Sequence, residues 1–134
     1  MKKLISFVIL ALIIGGCSKS SDDNTSEFTN KLQFGTGLNP ANLFELVGMG
    51  TVFPRSTQIY FRLESQDDMA GSDIKLQIKK SDGSVYNSFT YASIQSYGHI
   101  FLTAFTIPDA GNYTAYGILV TGNKTVASSP LTIQ

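Results

Sequence analysis

The chain has no tryptophan, one cysteine and one histidine in 134 residues, and only four prolines. Each absence excludes something. A lone cysteine, Cys17, cannot close a disulfide within the chain, so a small fold must stand on packing alone. One cysteine with one histidine also rules out any Cys/His zinc cluster, and no metal site is expected. Charge of either sign is scarce and balanced, with ten basic against ten acidic residues. From Phe28 onward the two are equal, so the basic footprint of a nucleic-acid binder is missing. No apolar run is long enough to span a bilayer as a helix, which takes about 20 residues. No stretch sustains a 3.6-residue period, so helices are not expected.

The longest apolar run is Leu4–Ile14, interrupted only by Ser6 and preceded by Lys2 and Lys3. A short positive region followed by an apolar stretch of this length is the pattern of a secretory leader. It closes on Ile14-Gly15-Gly16-Cys17. That run resembles the lipobox of bacterial lipoproteins. The resemblance implies cleavage between Gly16 and Cys17 by type II signal peptidase, with diacylglycerol carried on the Cys17 sulfur. Each buried methylene contributes about 0.8 kcal/mol, and two or three chains anchor lastingly where one does not. Cleavage would remove Lys2 and Lys3, leaving eight basic and ten acidic residues.

Ser18 to Glu27 contains no apolar residue, so it cannot bury surface to offset its ordering entropy. It is read as a flexible spacer. Asp22-Asp23, close behind the cysteine, resembles the export signal of surface lipoproteins in Bacteroidota. The expected organisation is a signal peptide over 1–16, a lipidated cysteine with spacer over 17–27, and one β domain over 28–134. The expected location is the outer membrane, lipid-anchored and facing the cell surface, with the periplasmic face as the alternative.

Within the domain the signal is period two. Ile59, Phe61 and Leu63 alternate with Tyr60, Arg62 and Glu64, and Ile74, Leu76 and Ile78 alternate with Lys75, Gln77 and Lys79. Such alternation predicts half-buried strands. Ser81-Asp82-Gly83-Ser84 predicts a hairpin turn, because Asp-Gly supplies the positive φ a tight turn needs. Further strands are expected over Val85–Tyr91, His99–Ile107, Asn112–Val120 and Thr125–Ile133, with a turn at Thr121-Gly122-Asn123-Lys124. Upstream, Lys31–Phe34 and Leu43–Val47 read as strands separated by Gly35 to Pro40, with a single helical turn over Leu43–Met49 as the alternative. Seven or eight short strands with regular turns predict an all-β antiparallel sandwich.

Asp109-Ala110-Gly111-Asn112-Tyr113-Thr114-Ala115 is similar to the run that enters strand F of immunoglobulin domains. The resemblance implies an immunoglobulin-like or fibronectin-III-like sandwich without the disulfide, since Ala115 stands where that family has its cysteine. It also implies that Tyr113 is a tyrosine corner whose hydroxyl bonds the backbone upstream. Gly111 would relieve the crowded turn and Asp109 would tie the loop. Leu76 or Ile78 would fill the core where that family places tryptophan.

Chemistry is sparse. A Ser-His-Asp arrangement would have to use His99, and no nucleophile elbow accompanies it. Asp67, Asp68 and Asp73 are clustered carboxylates with no EF-hand spacing. No catalytic residue and no cofactor is expected. The aromatics Tyr86, Phe89, Tyr91, Tyr97 and Phe101 crowd the middle of the chain. Alternate members fill a core, and Tyr86, Tyr91 and Tyr97 are the candidates to face a ligand. The expected role is non-enzymatic binding, adhesion or complex assembly at the cell envelope. The expected partners are a membrane reached through the anchor and an envelope protein or glycan. The alternative is a glycan-binding accessory of a polysaccharide-uptake system, which would need an exposed aromatic platform.

Overall fold

The computed structural model describes residues 27–92 and 98–134. Residues 1–26, which hold Gly16, Cys17, the expected leader and most of the expected spacer, lie outside the described residues, as does Tyr97. The described part is all-β, with ten strands: β1 (Lys31–Gly35), β2 (Gly37–Asn39), β3 (Asn42–Val47), β4 (Val52–Phe53), β5 (Ile59–Glu64), β6 (Ile74–Lys80), β7 (Val85–Tyr91), β8 (Ile100–Phe105), β9 (Gly111–Leu119) and β10 (Lys124–Ile133). They form a three-stranded sheet in the order β1-β5-β8, a five-stranded sheet in the order β4-β10-β9-β6-β7, and a two-stranded hairpin, β2-β3.

The alternating apolar residues face inward. Ile59, Phe61 and Leu63 of β5 and Ile74, Leu76 and Ile78 of β6 are all at most 1% exposed. Together with Phe34, Phe101, Phe105, Ile107, Leu131 and Ile133 they form one buried cluster drawn from both sheets. Leu76 and Ile78 both fill core positions. The sheets approach closely where Gly117 of β9 faces Leu63 of β5. A Cβ on Gly117 would lie 2.5 Å from Leu63 Cδ1, so only hydrogen fits there.

Turn chemistry sets the connections. In the β6–β7 hairpin Gly83 has φ +90° and its N–H donates to Lys80 O at 2.9 Å. Asp82 Oδ1 accepts from the Ser84 N–H at 2.9 Å. That is the Asp-Gly turn the sequence predicts.

Four expectations are corrected. The described strands number ten rather than seven or eight, because Gly37–Asn39 and Val52–Phe53 also pair. Gly35 to Pro40 is not merely a connection: Gly37 and Leu38 stand opposite Val47 and Leu46. The helical alternative for Leu43–Met49 is overturned by extended pairing over Asn42–Val47. The pairing is not wholly antiparallel, since β4 lies parallel to β10, with Val52 opposite Thr132 and Phe53 opposite Ile133. At Thr121–Asn123 the connection is one turn of 3-10 helix.

The chain enters the three-stranded sheet at the Glu64 end of β5. The Thr29 N–H and hydroxyl both donate to Glu64 Oε2, at 2.7 and 3.1 Å. Glu64 Oε1 accepts from Arg62 Nη1 at 2.7 Å and lies 3.8 Å from Lys31 Nζ. Burial alone would raise the pKa of this carboxyl, which is 6% exposed. The Thr29 amide, Arg62, the Thr29 hydroxyl and Lys31 outweigh burial, and the carboxyl ends below its ordinary range. Among the described residues no helix is long and apolar enough to cross a membrane.

Candidate functional site

The richest constellation of side chains lies beyond the Ile59 end of β5, at the pole opposite chain entry. Ser56 N donates to Ile107 O there at 2.8 Å, and the chain then turns through Pro108–Ala110 into β9. Tyr113, near the start of β9, folds back over this turn. Its hydroxyl donates to Asp109 O at 2.9 Å, and its ring is 7% exposed. Gly111 makes room for that ring: a Cβ there would sit 3.2 Å from Tyr113 Cζ and Oη. Burial, followed by the nearby Asp109 charge, raises the Tyr113 pKa.

Asp109 does more than turn the chain. Its Oδ2 accepts a hydrogen bond from the Tyr86 hydroxyl, reaching across from β7. This pair spans 23 residues, and no local spacing announces it. It depends on a β-bulge: Ile78 stands opposite Asn87 and Lys79 opposite Val85, leaving Tyr86 as the extra residue. The bulge breaks strict alternation and brings Tyr86 onto the core side with Phe89 and Tyr91. The Tyr86 and Tyr113 rings then meet with centroids 5.0 Å apart. The hydrogen bond to Asp109 pushes the Tyr86 pKa up to about 12.

Around this pair opens a groove of about 310 Å³, lined by Lys80 and Ser81 of the β6–β7 turn, Tyr86, and Asp109 to Tyr113. Its volume is at the low end for ligand sites. The rim offers an ammonium, a carboxylate and the Asn112 amide, whose Oδ1 accepts from Thr132 Oγ1 at 3.2 Å. These groups suit hydrogen bonding to a polar partner. A neutral phenol fixed on a carboxylate supplies no nucleophile at ordinary pH.

Phe89, Tyr91 and Phe101 are turned inward. The Tyr91 ring lies 5.7 Å from Phe61 and 5.6 Å from Phe101, and burial pushes its pKa up to about 12. Its hydroxyl donates to Ala104 O on β8 at 3.3 Å. Phe89 packs on Phe105 at 5.6 Å, and Phe101 is 4% exposed. Among the expected ligand-facing aromatics, then, Tyr86 borders a groove and Tyr91 packs on the core.

His99 sits at the entry pole. Its ring stacks on Phe28 at 4.4 Å with a 5° interplanar angle, and Nδ1 lies 3.0 Å from Ser65 O. The loop carboxylates do not converge. Asp67 is held by the Lys124 ammonium, whose hydrogen bond keeps its carboxyl below the usual range. Asp68 Oδ1 accepts from the Ala70 N–H at 2.9 Å. Among the described residues no three potential metal ligands come together.

No protein-family model matches the chain, and no curated protein matches it at a significant level. The reading of function therefore rests on its own residues.

Proposed function

We propose that this chain is a non-enzymatic cell-envelope lipoprotein, anchored through Cys17 and displaying one immunoglobulin-like sandwich for binding, adhesion or complex assembly. The observation that carries the reading is Ile14-Gly15-Gly16-Cys17 at the end of a compact apolar leader. Asp22-Asp23 supports export to the outer face of the outer membrane. The order β1-β5-β8 against β4-β10-β9-β6-β7 supports the immunoglobulin-like assignment, as does the Tyr113 hydroxyl on the Asp109 carbonyl. In that lettering the sheets are A-B-E and A′-G-F-C-C′.

Recognition falls to the loops and to the groove beside Asp109, because the inward faces of the strands are spent on packing. The inward packing of Tyr91 and the tie between Tyr86 and Asp109 favour a protein partner over a glycan platform. The test is mass spectrometry of the protein taken from its native envelope. A diacylglyceryl thioether on Cys17 with residues 1–16 removed supports the reading; a free thiol with the leader attached overturns it. Affinity capture of the intact lipoprotein then reads out the partner, and recovery of the protein alone points to a soluble ligand.

A further inference from the structure

Seven large apolar side chains are exposed among the described residues, and four of them fall in one stretch. Leu43 is 62% exposed, Phe44 42%, Val47 42% and Met49 55%. A concentration of this kind marks an interaction surface. The β2-β3 hairpin carries it as a flap on the three-stranded sheet: Arg62 Nε donates to Phe44 O at 2.8 Å, and Leu46 is buried at 9% exposure.

We propose that this flap dips into the lipid surface on which the protein is anchored, so that the domain lies on its three-stranded sheet. The inference rests on the lipid-anchor reading. Two observations choose lipid over other occupants. First, the chain enters the domain beside the flap. Lys31 and Glu64 of the entry line a single groove with Glu45 and Met49 of the flap, and Glu64 is the residue that holds Thr29. Second, Cys17 is only ten residues ahead of Glu27. Even fully extended, that length spans at most about 36 Å. An anchored Cys17 therefore keeps this flank within reach of the bilayer.

The side chains suit the depth. Leu43, Val47 and Met49 enter the acyl boundary, while Phe44 shares the inward side of β3 with Leu46, and the half-exposed Lys31 ammonium borders them at headgroup level. The one carboxylate in the outward row, Glu45, accepts from Asn39 Nδ2 at 3.0 Å. It meets the headgroups already hydrogen-bonded. The outer face of the five-stranded sheet then points away from the membrane.

The experiment uses the full-length lipidated protein in phosphatidylethanolamine–phosphatidylglycerol vesicles. With Cys17 blocked by lipid, an engineered cysteine is the only reactive thiol. Leu43→Cys, Met49→Cys and, as the control on the far sheet, Val85→Cys each carry a polarity-sensitive fluorophore. Melting curves that match the parent show that the labelled proteins are folded. The expected result is a blue shift at 43 and 49, with quenching by a nitroxide-bearing lipid several-fold stronger than at 85. Equal quenching at 43 and 85 overturns the proposal. So does a blue shift at 43 without lipid quenching, which assigns the flap to a protein partner or a second copy. Mass spectrometry of the same preparation separates the two failures. A lipidated protein with no quenching at 43 overturns the flap alone, whereas an unlipidated Cys17 overturns the anchor and the flap with it.

Discussion

Tyr86 and Tyr113 end on the same residue. The Tyr86 hydroxyl donates to the Asp109 carboxylate and the Tyr113 hydroxyl to the Asp109 carbonyl, with the two rings 5.0 Å apart. One bond ties the β8–β9 turn to a distant edge strand, and the other ties the turn to the strand it leads into.

These two bonds separate by mutation. Tyr113→Phe removes the bond to the carbonyl and leaves the carboxylate in place. Its expected cost is about 1 kcal/mol, with the melting temperature lowered by roughly 4–8 °C for a domain of this size. Asp109→Ala removes only the Tyr86 bond. Denaturation of both variants and the double variant checks the separation, and an unchanged melting temperature for Tyr113→Phe contradicts the corner.

Gly117→Ala is expected to destabilise by about 1–3 kcal/mol, because Leu63 is fully buried and has nowhere to move. Leu63→Val trims the obstructing methyl. The two changes together are expected to cost less than their sum. Urea unfolding of the four-protein cycle measures the coupling, and strict additivity contradicts the close approach of the sheets.

Tyr86 and Tyr91 are expected to stay neutral well past the ordinary phenol range, ionising at about pH 12. Their folded values are raised, so the stability they contribute is complete below pH 10 and is lost as pH rises through about 12. Absorbance near 295 nm follows the phenolates. Tyr86→Phe removes one late-titrating group, as does Tyr91→Phe.

Glu64 works in the opposite direction. Its folded pKa is depressed, so its contribution is complete above the ordinary value of 4.5 and is lost as pH falls through the lower folded value. Melting temperature measured from pH 7 down to pH 2 should show an acid-side loss that flattens in Glu64→Gln. An identical pH profile in the variant contradicts the role given to this carboxylate.

The parts of the fold governed by neighbours in sequence were legible. Period two placed Ile59, Phe61, Leu63, Ile74, Leu76 and Ile78 inward, and all six are buried. The Asp82-Gly83 turn is written in two residues. Tyr113 reaches back only four residues to Asp109, so the local run around it held that contact. What stayed hidden depends on distance along the chain. Val52 and Phe53 pair with the last strand through two residues, too few for any period to show. The bulge at Tyr86 is a property of two strands in register, so alternation along β7 misplaces that side chain. Nothing near Asp109 foretells a phenol arriving from residue 86. The exposed apolar stretch at Leu43–Met49 was visible as apolar residues, but only the position of the hairpin on the sheet distinguishes surface from core.

The clasp at Thr29 has a mechanical meaning. A tug on the chain upstream of that residue meets the Phe28–His99 stack and then the Glu64 carboxylate before it reaches a single rung of the ladder between β1 and β5. The domain thus carries its strain relief at the point where the chain enters the fold.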